Sequence, residues 1–217
     1  MLPFSKEQFF DAFAAYNAAI WPLPVVASVL GLVAIGLLFH GGSATNRLIA
    51  AILAALWLLT GVGYHILFFA EVTVAAYIYG ALFIAFALLL AIEGTLRNRI
   101  EFRLARGARG WLATAVIFYA IVAYPALGLL LHGYPEAPLF GVVPCPTAIF
   151  TLGFLILFRS SHPVLLATVP LSWAVIGGSA AFLLEVPQDF GLVGAAVAWV
   201  ALYLKDPYAM RLQRVYA

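Results

Sequence analysis

The chain has 217 residues, of which 65% are hydrophobic and 9% charged, and its mean hydropathy is +1.07. Soluble domains run at about 45–50% apolar and about 25% charged, so an ordinary water-soluble globule is excluded. A net charge of +2 gives no case for nucleic acid, and one cysteine, Cys145, excludes an internal disulfide and an all-cysteine metal cage.

Residues 1–20 carry Lys6, Glu7 and Asp11 and lack an uninterrupted apolar core, so they do not read as a signal peptide. Ser5 and Gln8 stand at capping-box spacing, and Phe9, Phe13, Tyr16 and Ile20 follow at helical spacing. The pattern predicts an interfacial amphipathic helix, an anchor or a lid, that enters the first span at Trp21-Pro22. Apolar runs then occupy 22–40, 48–70, 72–93, 111–131, 142–158, 163–184 and 190–204. Crossing ~30 Å of hydrocarbon takes roughly 20 helical residues, so these predict seven transmembrane helices with no separate extramembrane domain; the last is short. A membrane barrel would need alternating polar positions, which are missing. The fold class expected is therefore all-α integral membrane.

Alternating spans place Arg47, Arg97, Arg99, Arg103, Arg106, Arg109, Arg159, Lys205, Arg211 and Arg214 on one side, against Lys6 on the other. Glu7, Asp11, Glu71, Glu136, Glu185 and Asp189 share the side of Lys6. Positive residues stay inside, which predicts an outer N-terminus and a cytoplasmic C-terminus in a bacterial inner membrane. The basic 97–109 loop reads as this topology signal and a contact for anionic lipid.

An internal duplication is also suggested. Pro22, Pro24 and Gly31 recur as Pro144, Pro146 and Gly153 at an offset of 122, and Trp57 and Gly61 recur as Trp173 and Gly177 at an offset of 116. Spans 1–3 and 5–7 would then form parallel repeats joined by span four. In layout this resembles the 3+1+3 SWEET sugar transporters, but their proline-glutamine signature is missing from the first and fifth spans. Pro187-Gln188, in an outer loop, is the one such pair, so sugar transport is not implied. The run from His132 to Gly153 reads HGYPEAPLFGVVPCPTAIFTLG. With Glu7-Gln8-Phe9-Phe10 and Tyr64-His65-Ile66-Leu67-Phe68-Phe69, it resembles an uncharacterised bacterial family of multi-span membrane proteins. That resemblance implies a class without a mechanism.

Polar side chains inside hydrocarbon are costly and mark functional candidates. His65, Cys145, His132, Asp189 and Glu71 all fall near the outer ends of spans and could share one vestibule, supported by Tyr64, Thr147 and Tyr134. Thiolate and imidazole suit zinc or copper, although no metal-motif spacing links these residues, and inert structural roles explain them as well. Haem on His65 and His132 is a poor fit because their depths differ, and Lys6 and Lys205 lie outside the spans, which removes a retinal Schiff base. Trp57 and Trp173 sit mid-span, either facing each other across a substrate path or packing helices. Glu93 either snorkels to Arg97 at i+4 or serves as a cytoplasmic gate.

The function expected is a transporter or permease for a small solute or ion. The alternatives are a membrane-embedded metal- or redox-binding protein using Cys145 and His65, or a structural subunit of a homo-oligomer or larger complex. Nothing marks the chain clearly as an enzyme.

Overall fold

The computed structural model describes residues 4–205; Arg211 and Arg214 lie outside them. The chain opens with α1 (Lys6–Ile20), whose start is closed by the expected capping box: Ser5 Oγ accepts from Gln8 N–H, and Gln8 Oε1 accepts from Ser5 N–H at 2.9 Å. A bend of 83° at Trp21-Pro22 separates α1 from α2 (Leu23–Leu37). On α2, Ala27, Gly31 and Ala34 face inward while Val25, Val29 and Leu32 stay exposed.

Next come α3 (Ser43–Leu59), which runs on through a π-helical turn at Thr60–Ile66, and α4 (Ala75–Leu90), which ends in another at Ala91–Leu96. α3 and α4 cross closely where both lack a side chain: a Cβ on Gly80 would stand 3.0 Å from the Gly61 carbonyl oxygen. Then follow α5 (Gly107–Phe118) with a π turn at Tyr119–Ala123, α6 (Tyr124–His132), α7 (Pro144–Ile156), α8 (Pro163–Leu183) and α9 (Phe190–Leu204).

Five helical stretches are long and apolar enough to cross a membrane: Ser43–Glu71, Ala75–Leu96, Gly107–His132, Pro163–Leu183 and Pro187–Leu204. The bent pair α1–α2 makes a sixth if counted as one span. The fifth expected span, 142–158, is a 13-residue helix with every residue buried. At 1.5 Å per residue α7 is roughly 20 Å long, short of the ~30 Å a lone span needs. It packs against α3, α5, α8 and α9, which cover it on all sides. The short last span gains length from a helical turn at Pro187–Asp189. Large apolar side chains such as Ile78, Leu130, Val175 and Val197 point outward, as a lipid-facing surface requires.

The basic end holds a feature that the hydropathy pattern did not reveal. Within the expected 97–109 loop, β1 (Ile100–Phe102) pairs antiparallel with β2 (Phe158–Ser160), setting Glu101 opposite Arg159. Asn46 Oδ1 accepts from Phe102 N–H at 3.0 Å, and Arg109 Nε donates to the Ile156 carbonyl at 2.7 Å, tying α3, α5 and α7 to this pair.

The suggested repeat halves take unlike places. α2 lies on the rim with one face exposed, whereas its counterpart α7 is the central helix. Trp57 and Trp173 do not stack on each other. Phe83 touches both, with ring centroids 4.3 Å and 5.0 Å away.

Candidate functional site

At the end opposite the arginines, α1 lies across the bundle and roofs a cavity of about 150 Å³. Phe4, Phe9 and Phe13 descend from the N-terminal segment; Phe4 and Phe9 meet Phe69 edge-on, and Phe13 stacks on Tyr64 with centroids 5.2 Å apart. Asn17 Nδ2 secures the far end of α1 by donating to the Pro135 and Ala137 carbonyls at 2.7 Å and 2.8 Å. Near its start, Lys6 pairs with Glu185, which holds that exposed carboxyl below its usual range. This contact stands at neutral pH and is lost only as pH falls through the lowered carboxylate range, and an exposed pair adds little to stability.

The floor of the cavity is polar. Tyr124 O–H donates to Asp189 Oδ1 at 2.6 Å, and Cys145 lines the same floor. Trp173 Nε1, which has no hydrogen-bond partner, borders the sulfur from α8, and Tyr64 O–H on the wall is likewise unpartnered. Gly177 allows this closeness, since a Cβ there would sit 3.3 Å from Sγ and 3.5 Å from the indole nitrogen.

Local backbone interruptions deliver these side chains. Tyr64 belongs to the π turn of α3, Tyr124 directly follows the π turn of α5, and Trp173 comes three residues after Pro170 inside α8. Such turns redirect side chains and leave backbone groups off the regular ladder, and they recur at functional sites. Cys145 sits between Pro144 and Pro146 at the start of α7, and Asp189 stands immediately before α9. Two helix N-termini therefore converge on the floor.

Of the residues expected from sequence, Cys145, Asp189, Tyr64 and Trp173 line the cavity together. His65 lies behind its wall, fully buried among Tyr64, Phe69, Tyr79, Phe83 and Trp173, and both ring nitrogens lack a partner, so no bond joins it to Glu71. Glu71 is exposed on a turn, and His132 stacks on Phe10 with centroids 4.3 Å apart. Tyr134 is exposed and meets Trp21 edge-on. Among the described residues, no group of three or more His, Cys, Asp or Glu is placed to hold a metal ion: of the five expected ligands only Cys145 and Asp189 come together.

Two other candidates prove to be packing elements. Trp57 is fully buried and its Nε1 donates to Thr151 Oγ1 at 2.8 Å. Thr151 donates to the Thr147 carbonyl, and the Thr147 hydroxyl donates to the Val143 carbonyl and lies 3.5 Å from Thr60 Oγ1. This chain of hydroxyls satisfies buried groups within the core and does not border the cavity.

Glu93, the gate candidate, lies at the basic end and is held by Arg97 at 2.7 Å and Arg99 at 3.6 Å. Because the arginines are half exposed, the pairing is modest. Glu93→Gln is expected to lower stability by about 1 kcal/mol in detergent thermal melts while leaving cavity chemistry unchanged.

A family model described as a family of unknown function, DUF6064, matches residues 6–214. The chain belongs to DUF6064. No curated protein and no solved structure matches it. The DUF6064 match takes in α1 and the polar cluster of the floor, with Phe4 of the roof just outside it. Tyr124 is the site residue of this DUF6064 chain that sequence reasoning missed; its one signal was a tyrosine before Pro125 inside an apolar run.

Proposed function

We propose that this chain is a transporter or permease of the bacterial inner membrane that takes a small solute into the cavity beneath α1. The observation that carries this reading is the convergence of two π turns and one proline-containing helix on one small polar-floored cavity. Membrane carriers build solute sites from broken helices because an uninterrupted helix has no free backbone group or bend to offer. In this reading the cavity faces outside and the arginine end faces the cytoplasm, with α7 counted as a seventh, protein-encased crossing. Among the described residues, basic side chains cluster at the end away from α1, as the positive-inside rule asks.

Cys145 is the sole cysteine and lines the cavity, so its own reactivity tests access. In right-side-out vesicles a membrane-impermeant methanethiosulfonate is expected to modify Cys145 from the outer face. Reaction from neither face, or from the arginine face alone, would refute an outward-opening site. A cysteine placed in the 97–109 segment of a Cys145→Ser background should resist the same reagent from outside. If it is labelled there, the orientation is reversed.

A further inference from the structure

Asp189 is the one carboxylate among the cavity's lining residues; it is 2% exposed, and no lysine, arginine or histidine lines the cavity with it. Among the described residues it has no ion-pair partner; Tyr124 donates to it and Cys145 lines the floor beside it. A carboxylate so enclosed is costly unless something answers its charge. Tyr124 offers it a hydrogen, and α7 and α9 both begin here with the positive ends of their dipoles. The counter-charge is missing from the protein itself.

The walls indicate what supplies it. Eight of the 19 lining residues are aromatic, contributed by the N-terminal segment, α3 and the turn after it, α4, α6 and α8. Ring faces attract cations without hydrogen bonds, which suits an ammonium whose charge is spread over alkyl groups. A bare metal ion would instead ask for several oxygen ligands, and the floor offers few. A cavity of about 150 Å³ accepts a molecule of roughly benzene's bulk, so a methylated ammonium head fits and a drug-sized ligand does not. Tyr64 O–H and Trp173 Nε1–H remain as free donors for one short polar arm.

We infer that the cavity selects a small alkylated ammonium cation, held by Asp189 beneath a cage of aromatic rings. This inference names the substrate class of the site proposed above and rests on that reading. Choline is a suitable probe, carrying a trimethylammonium head and one hydroxyl, and dimethylbutanol is its uncharged carbon isostere.

The experiment measures how fast methyl methanethiosulfonate modifies Cys145 in the purified full chain, followed by intact-protein mass spectrometry. Saturating choline should slow modification at least tenfold, whereas dimethylbutanol should slow it less than twofold. Asp189→Asn should raise the choline concentration for half-protection at least tenfold and narrow the gap between the two probes. The wild-type comparison stands whether or not that variant folds. Equal protection by both probes overturns the cationic class yet leaves a solute cavity in place. Protection by neither also overturns it, and the sidedness of Cys145 labelling then decides separately whether the cavity is a transport site. Choline protection unchanged in a folded Asp189→Asn chain overturns the role given to the carboxylate.

Discussion

Trp57→Ala is expected to remove about 3–5 kcal/mol of stability, the cost of truncating a large, fully buried aromatic. The indole packs on Phe83 and Phe86 with centroids 4.3 Å and 4.5 Å away, and its N–H is satisfied by Thr151. Truncation loses these contacts, opens a void between α3, α4 and α7, and removes the hydrogen that the Thr151 hydroxyl accepts. Thermal unfolding in detergent should show the loss directly, while Trp57→Phe should recover most of it, because the ring volume is partly kept. Trp173→Ala should behave differently. Its ring borders the cavity and its N–H has no partner, so its truncation should change probe protection of Cys145 more than the melting temperature. Equal loss of stability in both tryptophan variants would contradict the division between a packing tryptophan and a cavity tryptophan.

Thinning the roof is expected to produce the second large effect. Phe9 is only partly buried, yet it touches Phe4, Phe10, Phe13 and Phe69, so it knits the N-terminal segment to the wall. The combined Phe4→Ala and Phe9→Ala variant should speed Cys145 modification by about tenfold, with little change in the unfolding of the helices beneath. Lys6→Gln should alter the rate less than twofold, since an exposed, solvent-screened pair contributes little. An unchanged rate in the double phenylalanine variant would mean that solutes reach the cavity by another route.

Much of the helical architecture was legible because long apolar runs can satisfy their backbones in lipid only as helices. The capping box of Ser5 and Gln8 and the Glu93–Arg97 pair were legible too, since both depend on fixed local spacing. What escaped was set by long-range packing. Asp189 read as a loop residue, but the turn at Pro187–Asp189 folds it under Tyr124, 65 positions away in sequence. Trp57 read equally as a path residue or a packing one, because its partner Thr151 lies 94 positions on, beyond any local pattern. The strands Ile100–Phe102 and Phe158–Ser160 are three residues each, too short to leave a period-two signal. The candidate site was therefore half visible: the presence of Cys145 and Asp189 at one end could be read, but not the tyrosine that joins them or the phenylalanines that cover them.

The encasement of α7 bears on how the chain is assembled after synthesis. A helix of 13 residues cannot bridge the bilayer by itself, and two of the helices that shield it, α8 and α9, are made after it. With α7 taken as the seventh crossing proposed above, residues 144–156 are expected to wait near the membrane surface until the following hairpin arrives to close around them. Chains cut after His162 should accordingly be poor insertion products and ready targets for quality-control proteolysis, even though α1 through α6 are complete.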